Sequence, residues 1–399
     1  MTLTPLTTIT SLNTRILPFL LLCATFFSCR DGGWAEGILR TADSLMEEYP
    51  DSALAILKRD SLEICRSGKD FRLWYALSRT EADDKCYILH VSDSAIRIAA
   101  GCYDSYGSAL QRVRADYLLG RVYCDMHLYG HALTSFNKAI AVDAENDSVI
   151  NRYKARAATW AGYVYEVEGL HKDALRYNKL AYGYAKKAGA QVTEIYSLRD
   201  IGRSYRDLKR NDIAIPYYQQ AAKKAKAIDD ANLYNMVMEE LAGIYIEEGR
   251  LDEAYAALNT KFLATTDKDI ASHYYIWAMY FEKIGQLDSA VAYDKRGMKY
   301  SEISIKRDVS LDLARLLMKQ GKRDEAMEYY EKYSVYSDSV EASELKETSD
   351  MLSQVEKSID VERKNAALAS SQLRLAAVMS ILVVVVVIAS VALLGMYLK

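Results

Sequence analysis

The sequence predicts an all-α protein, in which a solenoid of about eight helical hairpins is followed by a long helix and one transmembrane helix. Alanine recurs at nearly constant spacing, glycine precedes several of these alanines by five residues, and an apolar run of 24 residues lies near the C terminus. The chain has only 4 Pro in 399 residues, and 26% of its residues are charged, which is typical of helical proteins. The predicted divisions are a signal peptide, the solenoid, a coiled-coil-like juxtamembrane helix and a transmembrane helix, at residues 1–28, 38–335, 336–374 and 375–398.

The N-terminal segment has the features of an export signal. An apolar run from Ile16 to Phe27 follows Arg15 and, at 12 residues, is too short to span a bilayer. Ser28 and Cys29 come directly after it, as in bacterial lipoprotein signals, where the cysteine becomes the lipidated first residue of the mature chain. We therefore predict Cys29 as a lipidation site. The alternative is plain cleavage of a secretory signal.

The alanine ladder indicates internal repeats. Its steps are 42, 37, 42, 40, 40, 36 and 36 residues, and its members are Ala53, Ala95, Ala132, Ala174, Ala214, Ala254, Ala290 and Ala326. Glycine stands five residues before four of these alanines, at Gly169, Gly249, Gly285 and Gly321. Each glycine is expected to end a first helix in the left-handed conformation. Asp252, Asp288 and Asp324 are expected to be the N-caps of the second helices.

These motifs resemble the tetratricopeptide repeat, a unit of about 34 residues with two antiparallel helices. The third and fifth hairpins match its small and aromatic positions most fully, with Leu119, Gly120, Tyr123, Ala132, Phe136 and Ala139, and with Ile201, Gly202, Tyr205, Ala214, Tyr218 and Ala221. The resemblance implies a right-handed solenoid in which stacked hairpins share one core. We expect Gly202 and Ala214 to face each other where the two helices of their hairpin cross.

A narrower resemblance is carried by the segments 117–123 and 50–54, which look like a group of exported bacterial repeat proteins. Members of that group have a lipoprotein-like leader, such repeats and one transmembrane helix, and in many of them a cytoplasmic coiled coil and a DNA-binding or kinase module follow. This chain ends at Lys399, so we expect the effector module to be absent from it.

The segment before the membrane is predicted to be a long helix. Apolar residues recur every seventh position, at Leu345, Leu352, Ile359, Ala366 and Leu373, but the companion positions are only half apolar. One interpretation is a homodimer through residues 336–374; the other is a helix packed on the last repeat. Leu375–Leu398 is charge-free and, at ~1.5 Å per residue, long enough to cross a bilayer. With the leader, it predicts a single-pass protein of the bacterial inner membrane, with the repeats in the periplasm.

The inner wall of the solenoid is the candidate binding site. First helices line this wall in tetratricopeptide arrays, and the projected residues are Arg114, Tyr117, Arg121, Arg156, Tyr163, Arg199, Arg203 and Arg206. Arginine binds carboxylates through two parallel hydrogen bonds, so this set suits a protein or peptide partner of acidic character. The alternative is a solvated face on which Asp116, Asp200 and Asp207 pair with the arginines.

Nothing in the sequence indicates catalysis. Zinc-type cysteine spacing, the phosphate-binding loop and the catalytic motifs of hydrolases are all missing, so we predict no enzyme, cofactor or metal. The adjacent pairs Glu47-Glu48 and Asp83-Asp84 point in different directions on a helix. A net charge of −3 gives no reason to expect nucleic-acid binding. Buried free thiols are the expected state of the cysteines after Cys29.

The predicted function is a membrane-anchored, extracytoplasmic protein-interaction module, the sensing half of a signalling system. The alternative is a periplasmic scaffold or assembly lipoprotein without a signalling role.

Overall fold

The computed structural model describes residues 32–144, 147–260, 266–343, 345–346, 371 and 379. It divides into two compact units, Met1–Asp229 and Asp230–Lys399, which we call unit 1 and unit 2. The described residues contain helices and no strand. The predicted lipidation site Cys29, the leader, most of the juxtamembrane helix and, apart from Met379, the Leu375–Leu398 segment lie outside them. Within the described part of the chain, no helix combines the length and apolar character that crossing a membrane requires.

Unit 1 contains five helical hairpins among its described residues. Ten helices form the pairs, and a short helix, α3, follows the first pair; in chain order they are α1 (Gly32–Leu45), α2 (Pro50–Arg59), α3 (Ser61–Arg66), α4 (Lys69–Lys85), α5 (Ser94–Tyr106), α6 (Ala109–Asp125), α7 (Tyr129–Ala141), α8 (Ser148–Val167), α9 (His171–Ala188), α10 (Gln191–Asp207) and α11 (Asn211–Ala227).

Unit 2 contains three more hairpins among its described residues. The helices are α12 (Ala231–Glu247), α13 (Leu251–Leu258), α14 (Asp267–Lys283), α15 (Leu287–Gly297), α16 (Ile303–Lys319) and α17 (323–343). Residues 336–343 of the predicted juxtamembrane segment are helical and continue α17 without a break. The described part of the chain thus holds the eight hairpins that the alanine ladder predicts.

The turns between paired helices follow the glycine prediction but not the aspartate prediction. Gly249 has φ +73° and Gly285 has φ +79°, so each occupies the left-handed region that an L side chain rarely adopts. Second helices begin earlier than expected, since the N-caps are Arg250 and Gln286 and neither makes a side-chain cap. Asp252 and Asp288 lie in the first turn instead, where the positive end of the helix dipole stabilises a negative charge.

The alanine ladder marks the core with one exception. Ala53, Ala132, Ala214 and Ala290 have no exposed surface, and Ala174, Ala254 and Ala326 are equally buried. Ala95 is exposed, and Ile96 takes the buried position in α5. The buried position is therefore displaced by one residue from the ladder in the second hairpin.

The glycine of the first helix accommodates a large side chain rather than the ladder alanine. A Cβ atom on Gly202 would lie 2.7 Å from Cδ2 of Tyr218, and the ring of Phe136 fills the corresponding space beside Gly120. Tyr218 and Phe136 each stand four residues after the ladder alanine, one helical turn along the same face. The nearest side chain to Gly202 is thus that of Tyr218, and the expected contact between Gly202 and Ala214 stays a prediction.

Candidate functional site

The arginines predicted to line the wall of unit 1 are held by carboxylates. Arg114 donates from Nη2 to Oδ1 of Asp43 at 2.8 Å and from Nε to Oε2 of Glu81 at 2.7 Å. Its side chain is only 12% exposed. Burial by itself would lower the pKa of Arg114, but the charges of Glu81 and Asp43 outweigh it and hold the pKa above its usual range. Arg114 therefore belongs to an internal ion cluster.

Arg156 extends this cluster across the hairpins. It donates from Nη2 to Glu47 at 2.8 Å, although the two residues stand 109 positions apart, and Nη1 lies 3.5 Å from Glu81. Burial raises the pKa of Glu47, yet the Arg156 guanidinium more than offsets it, and the pKa falls to about 2. Tyr153 donates its hydroxyl to Glu81 at 2.9 Å. First helices from several hairpins are thus tied together along one face.

Arg121 forms a second part of the same face. Its guanidinium pairs with Asp84 at 2.8 Å and with Asp125 at 3.4 Å, and it lies 3.4 Å from the ring centroid of Trp160. Tyr117 is buried and donates its hydroxyl to Asp84 at 3.3 Å. The cation is therefore satisfied on its edge by carboxylates and on its plane by an aromatic ring.

The arginines of α10 also have carboxylate neighbours. Arg199 pairs with Asp200 at 2.7 Å, Arg203 lies 3.9 Å from Asp200, and Arg206 pairs with Asp207 at 3.4 Å. These three side chains are 15%, 30% and 33% exposed, so each could still reach solvent. These ion pairs agree with the alternative interpretation, a neutralised face. The peptide-binding role of the arginines stays a prediction.

Two residues on this face differ from the arginines. Tyr163 is 47% exposed and packs edge-on against Trp160 with 5.3 Å between the ring centroids. Asp116, expected to pair with the arginines, is buried away from them, and burial raises its pKa to about 6. The acidic partners Asp43, Glu47, Glu81 and Asp84 were not predicted. The adjacent acidic pairs at 47–48 and 83–84 were the available signal, but nothing local indicates an arginine more than a hundred positions away.

Unit 2 contains a pocket of about 440 Å³ between its first helices. Helix α12 supplies Ile246 and Glu247, α14 supplies five residues from Tyr275 to Lys283, and α16 supplies Asp312, Arg315, Leu316 and Lys319. Asp294 of α15 completes the lining. The prediction that first helices form the wall of a binding site fits this pocket, although none of the residues proposed from the sequence belongs to it.

Charges in the pocket are only partly matched. Glu282 accepts hydrogen bonds from Arg315 at 3.1 Å and from Lys319 at 2.7 Å, and Arg315 also pairs with Asp312 at 3.1 Å. Asp294 is 3% exposed, and no described residue donates a hydrogen bond to its buried Oδ1. Burial is the largest cause that raises the pKa of Asp294, and the charges of Asp312 and Glu282 add more to it than Arg315 takes away. Together they raise the pKa to about 8. Two cations of the pocket are thus engaged, and one carboxyl oxygen of Asp294 has no hydrogen-bond partner among the described residues.

The described residues offer neither a metal site nor a disulfide. They contain no group of three histidine, cysteine or acidic side chains placed to hold a metal ion. Cys65, Cys86, Cys102 and Cys124 are free thiols, and only Cys124 is buried. Burial raises the pKa of Cys124 to about 11, which keeps it protonated and unreactive at neutral pH.

Comparisons with known proteins identify the same kind of fold. Tetratricopeptide repeat models match residues 200–223 and 311–339. The apo crystal structure of RapI is similar, with a TM-score of 0.54 and 14% identity over 68% of this chain and 99% of that chain. A signal transduction ATPase with a tetratricopeptide repeat sensor, from Pyrococcus horikoshii, gives a TM-score of 0.58 and 16% identity over 79% of this chain and 50% of that chain. No curated protein sequence matches significantly. The predicted all-α fold with tetratricopeptide repeats is thereby confirmed.

Proposed function

We propose that the chain is a membrane-anchored, extracytoplasmic protein-interaction module that serves as the sensing half of a signalling system. The observation that supports this best is the pocket of about 440 Å³ in unit 2, whose walls come from three successive hairpins. A groove shared by stacked repeats can hold an extended peptide, because each repeat presents side chains to a different part of it. A sensing role also accords with the Pyrococcus horikoshii ATPase, whose tetratricopeptide repeats are described as a sensor.

The membrane location is part of the proposal and comes from the sequence. The export signal before Cys29 and the apolar segment Leu375–Leu398 would place the repeats in the periplasm and leave one helix in the inner membrane. A homodimer through residues 336–374 would bring two copies of the sensing module together. The competing role is a periplasmic scaffold. A neighbouring reading frame that encodes a coiled coil with a DNA-binding or kinase module would favour the signalling role, and its absence would favour the scaffold.

Site-specific photocrosslinking tests the pocket as the binding site. A photoreactive phenylalanine replaces Tyr275 in the pocket or, as the control, Tyr330, which lies in the same unit outside the pocket. The two tyrosines are 38% and 39% exposed, so their chance of nonspecific crosslinking is matched. After irradiation of intact membranes, a discrete adduct is expected from position 275 and not from position 330. Equal adducts from both positions would contradict the pocket as the binding site.

The acidic partner predicted from the arginines has its own test on α10. If Arg199 and Arg203 bind a carboxylate-bearing peptide, changing both to Ala weakens capture of the crosslinked partner and leaves the far-ultraviolet circular dichroism unchanged. If they form a neutralised face with Asp200, the double variant captures the partner as well as the wild type does, and stability changes by at most ~1 kcal/mol.

A further inference from the structure

Asp294 stands at a repeat position that other hairpins use for packing. The position lies four residues after the ladder alanine, one helical turn along the buried face. Hairpins one, three, five and six have Leu57, Phe136, Tyr218 and Leu258 there, and all four are at most 3% exposed. Asp294 is 3% exposed at the same position after Ala290. The position is buried in every hairpin before the last, where Tyr330 is 39% exposed. A carboxyl at such a buried position is unfavourable unless something compensates it.

The fourth hairpin shows how the fold treats a polar side chain at this position. Asn178 follows Ala174 by four residues and is as buried as Asp294. Its Nδ2 donates to Oγ of Ser204 at 3.0 Å and to the carbonyl of Asp200 at 3.4 Å. Asn178 is therefore satisfied within the protein, whereas Oδ1 of Asp294 has no partner among the described residues and borders an open pocket. Oδ1 of Asp294 is therefore open to a hydrogen-bond donor that enters the pocket.

The other walls of the pocket define what that partner looks like. Ile246, Met279 and Leu316 supply apolar surface beside the carboxyl of Asp294. A lysine or arginine side chain matches this arrangement, because its aliphatic stem packs on apolar surface while its charged end pairs with a carboxylate. A divalent cation does not match it, because no three ligands converge among the described residues. Arg315 and Lys319 are engaged by Glu282, and neither these two cations nor Lys283 donates a hydrogen bond to Oδ1 of Asp294.

We infer that the pocket of unit 2 takes a lysine or arginine side chain of a bound peptide, with Asp294 as its counter-ion. The inference rests on the proposed peptide-binding function and adds the chemistry of the ligand. It differs from the acidic partner expected at the arginines of unit 1, which lie outside this pocket.

Defined peptide pools test the inference. Fluorescein-labelled nonapeptides carry random residues at all positions except the central one, which is Arg, Lys, Glu or Met in four separate pools. Binding to the full-length protein in detergent is measured by fluorescence anisotropy. The variants are Asp294→Asn, which keeps the shape, and Asp294→Leu, which restores the residue type of the sixth hairpin. Asp288→Asn on the same helix is the control, because Asp288 is 92% exposed and outside the pocket.

The wild type and Asp288→Asn should prefer the Arg and Lys pools. In both Asp294 variants this preference should fall by about tenfold or more, because the buried cation of the peptide loses its carboxylate partner. Circular dichroism establishes that the variants fold, and Asp294→Leu should be at least as stable as the wild type. If the variants keep the preference, or if the wild type binds all pools equally, the cation site is refuted while peptide binding stands. If no pool binds, the peptide-binding function fails as well.

Discussion

Without a bound cation, Asp294 holds its proton at pH values where an exposed aspartate would have lost it, because its carboxyl is buried beside Asp312 and Glu282. A lysine or arginine side chain that pairs with Asp294 must displace this proton. The Asp294 pKa of about 8 lies above the unfolded value of 3.8. Between these two pKa values Asp294 is more protonated in the folded state than in the unfolded state. Its contribution to the free energy of unfolding therefore falls as pH rises from about 4 to about 8. Above the pKa of the folded state, the stability contributed by the protonated carboxyl is lost completely.

Replacing Asp294 by Asn should remove this pH dependence. Asn cannot ionise, so we expect the variant to exceed the wild type in stability by a margin that grows from pH 5 to pH 8, to roughly 2–4 kcal/mol after allowance for relaxation. Melting temperatures of both proteins across this range measure the margin. Asp312, Glu282 and Arg315 are the charged groups that act on the pKa of Asp294, and burial also raises the pKa of Asp312. A margin that is constant with pH would show that Asp294 does not titrate there.

Arg114 illustrates the opposite case, a buried charge with complete partners. We expect Arg114→Leu to destabilise unit 1 by roughly 3–5 kcal/mol, because Asp43 and Glu81 lose a shared cation and Glu81 stays buried. Arg97→Leu is the matched control, since Arg97 is 54% exposed and pairs only with Asp93 on its own helix, so its loss should cost less than about 1 kcal/mol. Urea unfolding followed by circular dichroism compares the two. Similar losses for both variants would mean that the cluster adds nothing beyond a surface pair.

The glycine of the first helix leaves space for a large side chain of the second helix. We expect Gly202→Ala to destabilise unit 1 by roughly 1–3 kcal/mol, because the new methyl group meets the ring of Tyr218 at 2.7 Å. Gly183→Ala is the control in the same unit. It sits within α9 with nothing within 4 Å of the added Cβ, so the higher helix propensity of alanine should stabilise the protein by about 0.5–1 kcal/mol. Opposite shifts in the urea midpoint are the expected result, and shifts of the same sign would refute the assigned contact.

Much of the hairpin arrangement could be predicted because it depends on residues close together in the chain. Glycine readily adopts the positive φ that ends many helices, so Gly249 and Gly285 were sufficient to place two turns. The N-caps were misplaced because the chain enters the second helix directly from the turn, at Arg250 and Gln286. The closeness of Tyr218 to Gly202 was not predicted, because spacing gives the face of a residue but not the size of the side chain that meets it.

The candidate site was less predictable because its contacts span large sequence separations. The sequence shows arginines on first helices, but it does not show that Glu47 approaches Arg156 or that Glu81 approaches Arg114. The unit 2 pocket was missed for a different reason. Asp294 belongs to a second helix, and only its position relative to the ladder alanine distinguishes it from an ordinary surface aspartate. A comparison of the fourth residue after each ladder alanine would have revealed it.

The predicted topology can be tested on the full chain. A reporter that is active only in the cytoplasm, fused after Tyr333, should be silent, because the leader would export residues 30–374 and the apolar segment would stop the chain in the membrane. A fusion after Lys399 is the control and should be active. Activity of the Tyr333 fusion would overturn the extracytoplasmic placement of the repeats.

Lipidation of the mature chain is a separate prediction. Cys29→Ser should abolish incorporation of a palmitate analogue, because the thiol that would receive the acyl group is gone, while the C-terminal segment keeps the protein in the membrane fraction. Cys65→Ser serves as the control and should leave labelling unchanged. Labelling that persists in Cys29→Ser would favour the plain secretory signal.

The ion pair between Glu47 and Arg156 has a consequence for how unit 1 folds. Repeat arrays held together by neighbour contacts alone fold in any order and fray from their ends. Here Glu47 of the first hairpin pairs with Arg156 of the fourth, at a sequence separation of 109 residues. Glu81 of the second hairpin contacts the same Arg156 guanidinium. Such contacts raise the contact order, so this unit should form later and more cooperatively than a simple repeat array. A growing chain would therefore have to present Arg156 of its fourth hairpin before Glu47 of its first could complete this ion pair.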